Sequence, residues 1–354
     1  MKLIIQIPCL NEEKTLPETI ADLPRHIDGV DTIEYLIIDD GSVDRTSEIA
    51  REVGVHHVVR FPQNRGLARA FMAGIDACLR LGADIIVNTD ADNQYSGADI
   101  PALVRPIVEH RADFVVGDRQ IEAVDEFSET KKRLQRFGSW VVRLASNTRV
   151  PDTTSGFRAI SREAALRMFV TSEFTYTLET IIQAGHANLA VDAVPIRTNP
   201  KTRDSRLFKS IPQYIRRSMA TIVRIYTMYK PLKAFIYLAS LLFLGGLVLG
   251  VRFLYFHLTS GPQGAGHIQS LILAAVLTIV AFIVLLSGLI ADLVAANRKL
   301  LQDAIIRLRR LEYDGVPQRD RDATASSATT AAAGTSANAP AADERVEPPS
   351  KLTT

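Results

Sequence analysis

A chain of 354 residues, 47% hydrophobic and 23% charged, is long enough for one large domain and additional pieces. Its formal net charge of +2 argues against a nucleic-acid binder, which concentrates positive charge over a whole domain. Two cysteines, Cys9 and Cys78, both in apolar segments, imply no disulfide framework and fit a reducing compartment.

The first ten residues are apolar but contain Gln6 and Pro8 and run straight into Asn11-Glu12-Glu13. They are too short for the apolar region of a signal peptide and are expected to stay in the cytoplasm. Lys2 to Pro8 is predicted as a first buried strand, and Leu16, Ile20, Leu23 and Ile27 then mark one face of a helix. A second strand, Ile33 to Ile38, ends at Asp39-Asp40-Gly41-Ser42, and a helix is expected from Asp44 to Val53. A third strand, His56 to Phe61, precedes a helix from Gly66 to Leu81, and Ile85 to Val87 makes a fourth strand. Strand alternating with helix at this spacing predicts a doubly wound α/β sheet with parallel pairing and right-handed crossovers.

Next come a helix near Asp99 to Glu109 and a strand, Asp113 to Gly117, ending in Asp118-Arg119. Residues 120–149 are basic, with Lys131, Lys132, Arg133, Arg136, Arg143 and Arg149. Asp152-Thr153-Thr154-Ser155-Gly156-Phe157-Arg158 follows, then helices around Glu163 to Phe169 and around Glu179 and Gln183. A strand from Ala190 to Ile196 leads into a polar loop carrying Lys201, Arg203 and Arg206.

Hydrophobicity is concentrated near the end. Two charge-poor segments, 234–256 and 268–290, are each about 23 residues and would span roughly 35 Å as helices, enough to cross a bilayer. Arg216, Arg217, Arg224, Lys230 and Lys233 precede the first, Arg298, Lys299, Arg307, Arg309 and Arg310 follow the second, and the connection carries no Lys or Arg. That asymmetry predicts both termini on the cytoplasmic side. The expected layout is a catalytic domain over 1–208, an amphipathic juxtamembrane helix over 209–232, a membrane hairpin over 233–296, a basic helix over 297–314 and a disordered tail over 315–354. Gly245-Gly246 offers a surface on which copies of the chain could self-associate as a homo-oligomer.

Chemistry gathers at the predicted strand ends. Asp90 and Asp92, one residue apart in an extended segment, point the same way and can share one hard divalent cation, with Gln94 adding a neutral oxygen. Oxygen-only ligation suits Mg²⁺ or Mn²⁺. Glu12 and Glu13 close the first strand and Asp39 and Asp40 the second, and acidic groups suit the ribose hydroxyls and base N–H donors of a nucleotide. No G-x-G-x-x-G follows the first strand, which disfavours a dinucleotide-dependent oxidoreductase.

Pro8 through Glu13, Asp39 through Thr46, Asn64-Arg65-Gly66 and Asp90 through Gln94, in this order and spacing, resemble the family-2 glycosyltransferases of GT-A fold, a Rossmann-like α/β nucleotide-diphospho-sugar transferase domain. Ser155-Gly156-Phe157-Arg158 and the Glu179 helix resemble the dolichol-phosphate-mannose-synthase-like branch, and the paired spans resemble bacterial members anchored in the inner membrane. The resemblance implies inverting, metal-dependent transfer of a sugar from a nucleotide-sugar donor to a polyprenyl phosphate in the lipid bilayer. It also implies that Pro8, Asn11, Glu12, Asp39 and Asp40 hold the nucleoside, that Asp92 and Gln94 hold the metal, and that Asp90 holds the donor sugar or the metal through water. Arg119, Ser155 and Arg158 would face the acceptor phosphate, and Arg203 or Arg206 would bind a phosphate. A polyprenyl phosphate is ionised near neutral pH and needs no base, although Asp152 or Glu179 could assist, and would be required for a neutral acceptor such as diacylglycerol or a lipid-linked glycan. A processive synthase is disfavoured, because Trp140 lacks the preceding arginine of Q-x-x-R-W and two spans are too few for a translocation pore.

Overall fold

The structure is a computed structural model that describes residues 1–120, 148–170, 176–199, 231–260 and 268–314, together with positions 139, 142, 143, 146, 224 and 227. In chain order the elements are β1 (Lys2–Cys9), α1 (Leu16–Asp22), β2 (Thr32–Asp39), α2 (Thr46–Glu52), β3 (His57–Arg60), α3 (Leu67–Arg80), β4 (Ile85–Asn88), α4 (Ile100–Val108) and β5 (Phe114–Asp118). They continue with β6 (Arg158–Ser161), α5 (Arg162–Arg167), α6 (Thr177–His186), β7 (Val191–Pro195), α7 (Pro231–Ser260) and α8 (Ile268–Asp314).

Seven strands form one sheet in the order β3-β2-β1-β4-β6-β5-β7. β1 pairs in parallel with β2 and β4, so the loops after all three strands emerge at the same edge. Alternation along β1 sends Leu3, Ile5 and Ile7 to one face and Ile4 to the other, and each face carries its own apolar core. β6 departs from the expected all-parallel sheet, running antiparallel between β4 and β5. Four residues, Arg-Ala-Ile-Ser, are too short a run to declare a strand by period; the slot between β4 and β5 makes one of them.

α7 and α8 are long and apolar enough to cross a membrane. They lie antiparallel and close: a Cβ on Gly246 would stand 3.1 Å from the Ala274 carbonyl oxygen, and one on Gly288 would meet Phe235 at 2.5 Å. Gly246 therefore lets the hairpin close on itself. The expected separate basic helix over 297–314 is the distal part of α8. No glycine or proline falls between Gly288 and Asp314, and Ala, Leu, Arg, Lys and Gln dominate there, so nothing breaks the helix. The basic residues 131–136, the juxtamembrane stretch 209–230 apart from Arg224 and Thr227, the connection 261–267, the tail from 315, and Arg203 and Arg206 lie outside the described residues.

Candidate active site

The loops after β1, β2 and β4 form one floor. Asn11 adopts a left-handed backbone, φ 55°, a conformation that asparagine tolerates. Its N–H donates to Ser42 Oγ at 2.9 Å and its side-chain oxygen accepts from Val43 N–H at 2.9 Å, while Glu12 N–H donates to Thr46 Oγ1 at 2.9 Å. The β1 and β2 loops are thus stitched together. Gly41, φ 76°, lies so close to the Gln63–Asn64 backbone that a Cβ would come within 2.4 Å.

Pro8, Asn11, Glu12, Asp39 and Asp40 come together on this floor, but two carboxylates have another task. Asp39 is fully buried: one oxygen accepts from Ser42 N–H at 2.7 Å and the other from Ser47 Oγ. Asp40 accepts from Arg65 N–H at 2.7 Å and Gly66 N–H at 2.9 Å, satisfying donors at the start of α3. Asp39 and Asp40, expected as nucleotide ligands, also brace the floor, accepting from buried N–H groups that would be costly to leave without a partner.

Asp90 and Asp92 follow the fully buried β4, and both are half-buried. Asp92 accepts from Gln94 N–H at 3.2 Å. The turn is pinned from outside: Thr19 Oγ1 donates to the Ala91 carbonyl at 3.0 Å, and Asn199 donates to the Asn93 and Gln94 carbonyls at 2.9 Å each. Tyr95 stacks on Phe157 with centroids 5.0 Å apart, and its hydroxyl accepts from Gly156 N–H at 3.1 Å. Asp90 lies over Gly156, where a Cβ would be 3.3 Å from both carboxylate oxygens.

The donors of this turn fit a hard divalent cation. Asp90, Asp92 and Gln94 supply side-chain oxygens, and the buried Asn93 amide oxygen between them has no hydrogen-bond partner among the described residues. Among the described residues no three His, Cys, Asp or Glu side chains converge.

Beneath Asp90 runs a buried polar chain that the motifs did not announce. Gln6 Nε2 donates to Asn88 Oδ1 at 2.9 Å, and Asn88 Nδ2 donates to the Gly156 carbonyl and Tyr176 hydroxyl, each at 2.9 Å. Tyr176 stacks flat on Phe71, centroids 4.0 Å apart, and burial pushes its phenol pKa up, leaving a neutral hydroxyl. The available signal was polarity inside apolar strands: Gln6 in Ile-Ile-Gln-Ile and Asn88 after Ile-Ile-Val.

The arginine side corrects several expectations. Arg119 grips Asp152 with a two-pronged fork, Nε to Oδ2 at 2.7 Å and Nη2 to Oδ1 at 3.0 Å, and reaches Thr154 Oγ1 at 2.8 Å. Burial works against the charge on Arg119, but the fields of Tyr95 and Asp152 overcome it, and the guanidinium pKa is raised. Burial likewise opposes the charge on Asp152, and Arg119 reverses the balance, keeping the carboxyl ionised below its ordinary range. Asp152 is therefore the partner of Arg119 rather than an available base.

Arg158, expected to face an acceptor phosphate, is fully buried. It donates to the carbonyls of Ser155 at 2.9 Å and Thr153 at 3.2 Å and to Thr180 Oγ1, between the rings of Phe114 and Tyr176 at 5.5 and 5.7 Å. Burial lowers its pKa to about 10, so it stays charged at neutral pH. Ser155 is also fully buried, its hydroxyl accepting from Phe157 N–H at 3.3 Å, and Glu179 is fully buried with Gln183 donating to it at 3.2 Å. Arg119 remains at the edge, 18% exposed.

Residues 4–169 match the family described as Glycosyl transferase family 2. The UDP-N-acetylglucosamine–dolichyl-phosphate N-acetylglucosaminyltransferase of Methanococcus voltae is 31% identical over 217 residues, 54% of this chain and 83% of that protein. A dolichyl-phosphate hexose transferase of Haloferax volcanii is 31% identical over 201 residues, 56% of this chain and 82% of that protein. Among solved structures, glucosyl-3-phosphoglycerate synthase of Mycobacterium tuberculosis, crystallised with Mn²⁺, UDP-glucose and phosphoglyceric acid, shares the fold at 21% identity, with a TM-score of 0.51 over 64% of this chain and 79% of that one. A Rossmann-like sheet of GT-A type, the strand-end acids and relatives matched along most of their length lead to one assignment: the chain belongs to glycosyl transferase family 2 and is a glycosyltransferase.

Proposed function

We propose that the protein transfers a sugar from a UDP- or GDP-linked donor to a polyprenyl phosphate at the cytoplasmic face of the inner membrane. The observation that carries this reading is the half-buried Asp90–Asp92 pair at the end of β4 in a chain that also bears two membrane-length helices. Relatives named for dolichyl-phosphate transfer support the acceptor class. Pro8, Asn11 and Glu12 would line the nucleoside, Asp90, Asp92 and Gln94 would hold Mg²⁺ or Mn²⁺, and Arg119 would meet a phosphate at the rim. When bound, the cation would supply positive charge to the departing diphosphate.

The chemistry balances without a base. An oxygen of the ionised lipid phosphate attacks the anomeric carbon, the bond from that carbon to the donor diphosphate breaks, and the nucleoside diphosphate leaves with the electron pair, inverting the centre. A neutral hydroxyl acceptor would need its proton removed, and the two acids that could assist are committed, Asp152 to Arg119 and Glu179 to the interior. This favours the phosphate over a diacylglycerol or lipid-linked glycan. The test is a screen of radiolabelled UDP- and GDP-sugars against a polyprenyl phosphate with Mg²⁺ or Mn²⁺. Label should enter the butanol-extractable lipid and release nucleoside diphosphate one for one; label appearing only on a hydroxyl acceptor would refute the proposal.

A further inference from the structure

α8 reaches far beyond any bilayer. Its 47 residues extend about 70 Å, more than twice a hydrocarbon core of ~30 Å. Charge first appears at Asp292, and the extension beyond it turns Gln302, Ile306, Arg309 and Tyr313, its less exposed face, toward the catalytic domain. The far end is latched. Arg309 donates to the carbonyls of Met168 at 2.8 Å and Leu166 at 3.4 Å and to Asp76 Oδ1 at 3.3 Å. Tyr313, 5% exposed, donates to the same Asp76 oxygen at 3.4 Å and lies beneath Arg80. Arg310 pairs with Glu163 and Glu312 with Arg80, each at 2.6 Å.

The direction of α8 follows from these partners. α3 starts at the active-site edge, where Asp40 holds Gly66 N–H, and descends to the opposite edge, where Arg80 precedes β4. Arg309 meets Asp76, and Glu312 and Tyr313 meet Arg80 one turn lower, so α8 descends alongside α3 in the same sense. Traced upward, the ten residues from Asp76 to Gly66 climb about 15 Å and the seventeen from Arg309 to Asp292 about 26 Å. The apolar span therefore begins about 10 Å above the loops that carry the acids.

We infer that the membrane-distal half of α8 is a strut of set length. Latched through Arg309 and Tyr313 at the amino ends of the strands, it turns the carboxyl ends of β1, β2 and β4 toward the bilayer and holds Asp90 and Asp92 near headgroup height. That a lipid phosphate waits there rests on the function proposed above; the orientation does not. Arg309 and Tyr313 are positioning residues, distant from the reacting atoms.

The test uses the full chain in vesicles containing a headgroup-labelled lipid dye. A donor fluorophore is placed on Val43→Cys, 93% exposed beside the acidic floor, or on Asp28→Cys, exposed at the opposite edge; the native Cys9 and Cys78 are buried. Energy transfer should be stronger from position 43 than from 28. Seven residues inserted after Ala296, which lengthen the helix by about 10 Å and turn it by only about 20°, should reduce transfer from position 43 at least twofold. The double variant R309A/Y313A, which keeps the length and cuts the latch, should reduce it as well. A stronger signal from position 28, or no change on insertion, overturns the strut. Sugar transfer to polyprenyl phosphate in the same vesicles should fall at least tenfold on insertion, while transfer to a short-chain acceptor in detergent stays within twofold. If the fluorophores respond as expected but the unmodified protein glycosylates neither acceptor, the acceptor assignment fails and the strut stands. If the unmodified protein is active and insertion alters neither readout, the strut fails alone.

Discussion

The two halves of the sheet hold their loops with opposite charges. In the β1–β4 half, carboxylates accept from backbone N–H groups: Asp39 from Ser42, Asp40 from Arg65 and Gly66, Asp44 from Thr46. In the β5–β6 half, guanidiniums donate to carbonyls and to a carboxylate: Arg158 to Thr153 and Ser155, Arg119 to Asp152. The lesson is that a charged residue in a motif can be the scaffold of the site rather than its reagent. Exposure separates the two roles, since Asp90 and Asp92 are half-buried where Asp39 and Arg158 are fully enclosed.

The largest effect should come from breaking that distinction in the acidic half. Asp92→Ala should lower turnover at least a thousandfold and abolish metal-dependent nucleotide binding, with unfolding free energy changed by less than about 1 kcal/mol. Asp39→Ala should do the reverse, costing about 2–3 kcal/mol as its buried donors lose their acceptor. Initial rates, calorimetry and urea midpoints distinguish the two. A stability loss at Asp92 equal to that at Asp39 would show that both are braces.

The basic half supplies the next effect. Arg158→Met leaves the Thr153 and Ser155 carbonyls without their donor and should cost roughly 2–4 kcal/mol in urea unfolding. Arg158→Lys should recover little, since one ammonium cannot fork to three acceptors. Unchanged stability with lost sugar transfer would instead return Arg158 to the acceptor side.

These contrasts explain what could be read from the chain. The β1–β4 half was legible because period-2 and period-3.6 patterns there are long and each strand ends in a motif. The Asp90–Asp92 turn was legible as oxygen chemistry because two acids one residue apart in extended backbone must point together. The direction in which Asp39 or Arg158 points was not, because it depends on orphan backbone groups in loops distant in sequence. β6 was hidden by its length, and the Gln6–Asn88–Tyr176 chain because its members are 82 and 88 residues apart.

Gly156 joins the two halves and should give a smaller, mixed effect. A Cβ there would press on the Tyr176 hydroxyl at 3.0 Å and on both Asp90 oxygens at 3.3 Å, distances that force a shift of a few tenths of an ångström. Gly156→Ala should cost about 1 kcal/mol of stability yet lower turnover about tenfold, because the displaced group is the Asp90 carboxylate. Tyr176→Phe, which removes the hydroxyl and keeps the stack, should match the stability loss with less effect on rate. Equal rate losses in the two variants would mean that Asp90 does not feel the added methyl.

The smallest effect lies at the opposite edge of the sheet, where pairs have no chemistry to perform. Burial alone would raise the Glu34 carboxyl, but hydrogen bonds from His57 and Lys2, each at 2.8 Å, hold it down at about 2 instead of its ordinary 4.5. A carboxyl lowered by folding binds its proton less tightly in the folded state, so its contribution is fully present above about pH 4.5 and fades as pH falls toward 2. Discounted for partial exposure, that contribution is roughly 1 kcal/mol. Glu34→Gln should therefore lower stability at pH 7, converge on the unmodified protein near pH 2, and leave sugar transfer unchanged. A loss of transfer would mean that the two edges of the sheet are coupled and that the division between scaffold and reagent is not spatial.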